Sequence, residues 1–257
     1  MKPSDKKWFL DKIKRAIRRY RLLDRGDRVA VAVSGGKDSL FLLHTLDWLC
    51  QRSFHDVQLF PLRVDLGWQE DTVPLADFCR TKGLKLTEVK TQIGTIIYDV
   101  RQERNPCSLC SHMRRGALNN AALDLGCNKV ALGHHLDDVL ATLFMNFFYT
   151  GRLATFQPRT ELSRSGLVAI RPLVYIPEEI ISAVVKRDQL PVCKSRCPAA
   201  GNTRRAEMED LIAKLSDHFP NWRQRFLSAW ESSIPLATWS YVMPMAEKCD
   251  KLGKNHS

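Results

Sequence analysis

The stretch that decides the fold is VAVAVSGGKDS, residues 29–39. Its small apolar residues, 29–33, are typical of a buried strand, and the two glycines that follow lead into a helix near Ser39. Glycines let the backbone approach a ligand closely, while hydroxyls and a helix N-terminus attract negative charge. The pattern therefore predicts an anion-binding loop, here called the SGG loop, that consists of Ser34, Gly35, Gly36, Lys37, Asp38 and Ser39. It differs from the G-x-x-x-x-G-K-S/T loop of P-loop enzymes.

Strand and helix patterns alternate on the carboxyl side of this loop. Helices are predicted at about 39–51, 74–82 and 108–125, and a fourth that begins near Asp137 and Asp138 and runs to about Tyr149. Strands are predicted at about 58–64, 84–90, 129–132 and 168–174. Such alternation predicts an α/β fold with a doubly wound parallel sheet, whose ligands gather at the carboxyl ends of the strands. The SGG loop, Asp65 and the segment 133–138 all follow strands, so we expect them to share one site.

The organisation predicted along the chain has four parts. Residues 1–25 form a basic N-terminal amphipathic helix, residues 26–175 the α/β domain, and residues 176–232 a C-terminal helical region. Residues 233–257 are expected to be a flexible tail.

Charge is concentrated at the N-terminus. The chain carries a formal net charge of +11, and residues 2–28 hold eleven Lys or Arg against four Asp. Phe9, Ile13, Ile17 and Tyr20 recur there at helical spacing, which predicts one face packed on the body and a cationic face outward. Contact with nucleic-acid phosphates is one role for that face, and a solvated surface without special use is the other. No apolar run is long enough to span a bilayer and no secretory signal is evident, so we expect a cytoplasmic protein without a membrane partner.

The eight cysteines favour metal or thiol chemistry over a disulfide framework. Cys107 and Cys110 form a C-x-x-C pair at the start of a predicted helix, a spacing that lets two thiolates reach one metal centre. Cys193 and Cys197 form a second, later pair. Four ligands would suit a structural zinc, and three would suit an iron–sulfur cluster with one open iron. The remaining four are interpreted as packing residues or surface thiols: Cys50, Cys79, Cys127 and Cys249.

Several motifs in order resemble the tRNA 2-thiocytidine synthetases, over about residues 5–232. They are SGGKDS, CSLC followed by Arg114-Arg115-Gly116, ALGHHLDD followed by TLFMNFFYTG, and IRPLVY. The resemblance implies the ATP-pyrophosphatase (adenine nucleotide alpha hydrolase-like) fold with N-terminal and C-terminal helical additions. It also implies ATP as co-substrate, Mg²⁺, a 4Fe–4S cluster on three cysteines, and tRNA as substrate. In this family AMP is transferred to the C2 oxygen of a cytidine, expected here at anticodon-loop position 32, and sulfur then replaces that oxygen. The sulfur would come from a cysteine desulfurase or from free sulfide.

The resemblance also implies roles for individual residues. The late cysteine pair is usually C-x-x-C in the family but C-x-x-x-C here, and alignment backward from residues 201–205 places Cys197 at the position of the family's second cysteine. We therefore expect Cys107, Cys110 and Cys197 to bind the cluster and Cys193 to be a spare thiol near the open iron. Arg114 follows Cys110 by one helical turn and would be a catalytic cation, and contact with a tRNA phosphate at the surface is the alternative role.

Carboxylates and histidines complete the expected site. Asp38 would hold Mg²⁺ or order the loop, and Lys37 would add positive charge or point into solvent. Of Asp137 and Asp138, one would cap the helix while the other faces ATP, and we expect Asp137 to be the catalytic one. Gly133 and His134 are expected on the nucleotide side, and the roles of His134 and His135 cannot be separated from sequence.

Other functions stay open on the sequence alone. A zinc-containing enzyme could make a lysidine-type modification, a related enzyme could make 2-thiouridine, and a non-enzymatic protein could act as an RNA-binding redox sensor. A homodimer is also compatible with the sequence.

Overall fold

The computed structural model describes residues 1–68, 70–103, 106–193, 197–198 and 204–232. Its strands are β1 (Arg28–Ala32), β2 (Gln58–Asp65), β3 (Thr87–Lys90), β4 (Lys129–Ala131), β5 (Arg159–Glu161) and β6 (Val168–Ile170). They form a six-stranded sheet in the order β3-β2-β1-β4-β6-β5. All neighbours are parallel except β5, which pairs antiparallel with β6 at the edge. The predicted α/β fold with a largely parallel sheet is confirmed.

Helices surround this sheet. They are α1 (Asp11–Tyr20), α2 (Lys37–Ser53), α3 (Val73–Thr81), the single turn α4 (Ile93–Thr95), α5 (Pro106–Asp124), α6 (Leu136–Thr150), α7 (Glu178–Arg187), α8 (Arg204–His218) and α9 (Trp222–Ser232). There are also two π-helical turns. Lys6–Leu10 leads directly into α1, and Ile96–Val100 directly follows α4. No helix in this described part of the chain is long and apolar enough to cross a bilayer.

The site is positioned by the central strand β1 and the helix that follows it. Val29, Ala30 and Val31 are fully buried, as expected for a strand paired on both sides and covered on both faces. On α2, Leu40, Phe41, Leu42 and Leu43 are successive and all buried, so this helix is enclosed by the core on every side. The SGG loop joins these two buried elements and is therefore held rigidly at the carboxyl end of the sheet.

The N-terminal helix is amphipathic, as its spacing predicts. Phe9, Ile13, Ile17 and Tyr20 are buried in the main core. On the other face, Arg15 and Arg19 both form ion pairs with Glu231 of α9, so two of its cations are used to hold the C-terminal helices.

Some boundaries differ from the predictions. Strand β5 was missed, because three polar or charged residues at a sheet edge carry no apolar signal. The strand expected at 168–174 ends at Ile170, and β3 begins at Thr87 and not at 84. The four-part division of the chain stays a prediction, and the tail at 233–257 lies outside the described residues.

Candidate active site

The SGG loop is braced by its own hydroxyl groups. The Ser39 hydroxyl donates to the Gly36 carbonyl at 2.8 Å and accepts from the Ser34 N–H at 3.1 Å. The Ser34 hydroxyl accepts from the Gly36 N–H at 3.3 Å. These bonds preorganise the turn at the N-terminus of α2, where the helix dipole favours an anion.

Gly35 is required for two independent reasons. Its φ of +84° lies in the region that side chains rarely adopt, and a Cβ atom there would lie 3.0 Å from the Cβ of Cys193. The loop that carries Cys193 is therefore packed directly on the SGG loop.

A cavity of about 500 Å³ opens beside this loop. Leu62, Val64 and Leu66, at the end of β2, supply an apolar wall suited to a planar ring. Polar residues on the other walls come from several segments of the chain: Ser34, Asp38, Arg114, Arg115, His134, Asp138 and Arg205. The structure thus brings the SGG loop, the C-x-x-C helix and the segment 133–138 to one cavity.

Two carboxylates that line the cavity, Asp38 and Asp138, lie beside a buried histidine. The Nε2 atom of buried His135 lies 3.6 Å from Oδ1 of Asp38 and 3.7 Å from Oδ2 of Asp138. Asp138 also accepts the His135 N–H at 2.8 Å, which caps α6, and pairs with Arg205. Burial raises the pKa of Asp138, but His135 and Arg205 outweigh it and lower the pKa below its usual value, so this carboxylate is ionised at neutral pH.

Asp137, which we expect to be the catalytic carboxylate, does not line the cavity, although its Oδ2 lies 3.9 Å from Nδ1 of His135. It is buried, and its carboxylate accepts the backbone N–H of Glu178 at 2.7 Å and the Nε–H of Arg223 at 2.7 Å. Successive residues in a helix point about 100° apart, and here Asp138 is the one that lines the cavity. Asp138 therefore both caps α6 and lines the cavity.

Three other residues that we expect in the site make contacts within the protein that account for their presence in the sequence. Lys37 pairs with Glu178 at 2.9 Å and with Asp38 at 3.2 Å, and does not line the cavity. Asp65 ends β2, but its carboxylate accepts the Gly67 N–H at 2.9 Å and it is not a lining residue either. Gly133 does line the cavity, and a Cβ there would lie 3.2 Å from the backbone of Asp38 and Ser39, which explains the glycine.

Two arginines of the site were missed by sequence reasoning. Arg171 follows β6 and donates to His134, and Arg205 near the start of α8 pairs with Asp138. A signal for Arg171 was present, since it is the one charged residue inside the apolar motif IRPLVY. Arg205 belongs to the segment that aligns the late cysteines, but nothing local indicates its partner Asp138, which is 67 residues away.

Three cysteines converge on Tyr98, a residue of the π-helical turn that follows α4. The Tyr98 hydroxyl lies 3.8 Å from Sγ of Cys197, and burial, Cys197, Cys107 and Cys110 together raise the Tyr98 pKa to about 12. The pKa of Cys110 is also raised. Burial is the largest cause, Cys197 and Cys107 raise this pKa further, and the charge of Arg114 lowers it in part. Cys107, Cys110 and Cys197 thus share one neighbourhood, which Arg114 adjoins on α5.

Cys193 has different surroundings. It lines the cavity and interacts with Arg63 and Glu70, whereas neither Cys107 nor Cys110 is among its electrostatic partners. Within the described residues, no three Cys, His, Asp or Glu side chains are grouped tightly enough for a single metal ion. Thiolates of three cysteines are the ligand type that a 4Fe–4S cluster requires, and Cys107, Cys110 and Cys197 offer that set.

The other cysteines are packing residues where the structure describes them. Cys50, Cys79 and Cys127 are buried, and burial raises their thiol pKa values, to about 12 for Cys50 and about 11 for Cys79. Cys249 lies outside the described residues.

Comparison with known proteins agrees with this site. The PP-loop domain model matches residues 7–206. The chain is 37% identical over 219 residues to a tRNA-cytidine(32) 2-sulfurtransferase of Syntrophotalea carbinolica, covering 84% of this chain and 85% of that protein. It is 37% identical over 230 residues to the protein of the same name in Geotalea uraniireducens, covering 88% and 91%. The chain belongs to the PP-loop family of tRNA-cytidine 2-sulfurtransferases.

A solved structure supports the fold of this 2-sulfurtransferase family member. The U34-tRNA thiolase NcsA from Methanococcus maripaludis, solved with its 4Fe–4S cluster, matches with a TM-score of 0.71 at 24% identity. The match covers 88% of this chain and 79% of that one. The family resemblance predicted from the sequence motifs, and with it the ATP-pyrophosphatase type of fold, is confirmed.

Proposed function

We propose that this protein is an ATP-dependent tRNA sulfurtransferase that converts cytidine 32 of tRNA to 2-thiocytidine. The observation that carries the proposal is that one helix, α5, connects the two parts of the site: it carries Cys107 and Cys110 at its N-terminal end, and one turn later Arg114, which lines the cavity beside the SGG loop. Identity of 37% to enzymes named for this reaction supports it.

Activation of the base uses ATP. The C2 oxygen of cytidine attacks the α-phosphorus, the bond between the α-phosphorus and the bridging oxygen breaks, and pyrophosphate leaves. The SGG loop would hold the departing pyrophosphate through its N–H groups and the dipole of α2. The apolar residues at the end of β2 would contact the adenine ring.

Mg²⁺ would bind at Asp38 and Asp138. The Oδ1 atom of Asp38 is buried and accepts no hydrogen bond from any described residue, although Lys37 Nζ lies 3.2 Å away. Hard cations prefer carboxylate oxygens, and Mg²⁺ is commonly held by one or two carboxylates together with substrate phosphates and water. Two carboxylates around His135 fit that requirement.

Arginines would stabilise the charge that develops during the reaction. Arg114, Arg115 and Arg205 all line the cavity. Because a guanidinium stays protonated, these residues stabilise negative charge on phosphate and base and do not remove protons. Arg205 in addition holds the carboxylate of Asp138 in place.

Cys107, Cys110 and Cys197 would hold a 4Fe–4S cluster with one iron not bound by the protein. When bound, the cluster supplies sulfide as a nucleophile without net redox change. Attack of sulfide on C2 releases AMP, so the pair of steps converts one ATP to AMP and pyrophosphate. The sulfur would come from a cysteine desulfurase or from free sulfide, and a homodimer stays a prediction.

Nucleoside analysis of tRNA from a strain that lacks this gene tests the proposal. Mass spectrometry should find no 2-thiocytidine in that strain and its return when the wild-type gene is restored. Restoration with Asp38→Ala, at equal protein level, should leave it absent. Unchanged 2-thiocytidine in the deletion strain would refute the proposal, and loss of 2-thiouridine instead would assign a different base.

A further inference from the structure

Arg171 is held in place by an unusual set of partners. Its Nη1 donates to the Gln157 carbonyl at 2.7 Å and to the Thr160 hydroxyl at 3.1 Å, and its guanidinium lies 5.1 Å from the centre of the Phe156 ring. Its backbone N–H donates to the Pro158 carbonyl at 2.8 Å. The segment that leads into edge strand β5 thus fixes the orientation of this guanidinium.

The fixed guanidinium is directed at His134. Arg171 Nε–H donates to Nδ1 of His134 at 3.2 Å, and the Phe156 ring packs 5.0 Å from the imidazole. A guanidinium has no acceptor atom, so Nδ1 must carry a lone pair. In a neutral imidazole the hydrogen then lies on Nε2. Burial and the charge of Arg171 lower the His134 pKa to about 4, which keeps the ring neutral at pH 7.

His134 lines the cavity. Among the described residues its hydrogen-bond partner is Arg171, which contacts Nδ1, so Nε2 is available to a ligand. The preceding residue, Gly133, lies against the backbone of Asp38 and Ser39, so His134 adjoins the N-terminus of α2, where phosphate is expected.

We propose that His134 donates its Nε2 hydrogen to a phosphoryl oxygen of the bound nucleotide, and that Arg171 is a positioning residue that fixes this tautomer. The inference rests on the proposed use of ATP and deepens it. It separates the two adjacent histidines: His134 is a hydrogen-bond donor, whereas the His135 ring lies 3.6, 3.9 and 3.7 Å from the carboxylates of Asp38, Asp137 and Asp138. It also excludes His134 as a general base or metal ligand through Nε2, since that atom has no lone pair to offer.

Nitrogen NMR of the full-length protein tests the tautomer directly. With ¹⁵N-histidine labelling, the His134 signals among the seven histidines are assigned by their loss in His134→Gln. At neutral pH we expect an unprotonated Nδ1 and a protonated Nε2. Either a hydrogen on Nδ1 or a doubly protonated ring would overturn the inference. Arg171→Met should change the ratio of the two His134 tautomers. An unchanged ratio in a folded Arg171→Met protein would show that Arg171 does not fix the tautomer.

Binding of the non-cleavable analogue α,β-methylene-ATP, measured by calorimetry, tests the donor role. Gln retains an N–H near the Nε2 position, so His134→Gln should bind the analogue within about threefold of wild type. His134→Leu should lose about 10- to 100-fold, as expected for a hydrogen bond to a charged group. The matched control His55→Leu, at an exposed position, should bind normally. Equal binding by His134→Leu and wild type would contradict the proposal.

These measurements involve no tRNA. A protein with the expected tautomer and nucleotide binding but no thiolation would refute the proposed function and leave this inference intact. Normal thiolation with a hydrogen on Nδ1 would overturn this inference alone.

Discussion

The backbone N–H of Cys193 donates a 3.0 Å hydrogen bond to the carbonyl of Gly35. This bond fixes the first late cysteine on the SGG loop, while Cys197, four residues further on, lies beside Tyr98 with the C-x-x-C pair. Cys193 and Cys197, which from their spacing could bind one metal together, therefore lie in different surroundings.

The division predicts opposite results for the two late cysteines. After anaerobic reconstitution with iron and sulfide, Cys193→Ala should give a 4Fe–4S spectrum like that of wild type. Cys197→Ala should lose the cluster or form a degraded one, because a ligand is missing. Absorption and electron paramagnetic resonance spectra measure this. The reverse result would make Cys193 the ligand, and loss in both variants would indicate four cysteine ligands.

Substitution of Asp137 should mainly lower stability, whereas substitution of Asp138 should mainly lower activity. Asp137→Asn removes the charge that Arg223 and the Glu178 N–H contact in a buried position, and we expect a loss of about 2 kcal/mol in the free energy of unfolding. Denaturant unfolding measures it. Asp210→Asn, in an exposed pair with Lys214, is the matched control and should cost less than about 0.5 kcal/mol.

Asp138→Asn should abolish tRNA-dependent pyrophosphate release in a folded protein, since this carboxylate lines the cavity. Asp137→Asn should retain release at a temperature where it is folded. An inactive Asp137→Asn beside an active Asp138→Asn would make Asp137 the catalytic residue after all.

Asp38→Ala should also abolish pyrophosphate release without unfolding the protein. The residue lies at the start of α2 with its carboxylate in the cavity, so it serves the ligand and not the core. A coupled pyrophosphate assay, with thermal melting as the control for folding, checks this. Release near the wild-type rate would show that the loop has been assigned wrongly.

The cationic face of α1 should contact tRNA. Charge reversal at Lys14, Arg18 and Arg21 should weaken tRNA binding and flatten its salt dependence. The log–log slope should fall by a little under one unit for each phosphate that the helix no longer neutralises. Arg15 and Arg19 are left unchanged because they pair with Glu231.

Reversal at the exposed residues Arg80, Lys85 and Lys90 makes the same change in net charge elsewhere and is the control. It should reduce the slope less than the α1 variant does. Equal slopes for the α1 variant and wild type would assign that helix to packing alone.

Local pattern was enough to predict the sheet and the SGG loop, because a buried strand, a glycine pair and a helix start are all encoded within residues 29–39. It could not distinguish Asp137 from Asp138. Both stand in the first turn of α6, and the choice depends on Arg223, which is 86 residues away. Strand β5 was missed for a similar reason, since its pairing with β6 and its contact with Arg171 are tertiary.

The central claim is tested most directly by thiolation of purified tRNA in vitro. Cluster-loaded protein is incubated anaerobically with ATP, Mg²⁺, sulfide and unmodified tRNA, and both the nucleosides and the pyrophosphate are quantified. We predict 2-thiocytidine at position 32 and one pyrophosphate for each sulfur inserted, with neither product when ATP is omitted. Pyrophosphate release without 2-thiocytidine, or sulfur insertion that does not require ATP, would contradict the account.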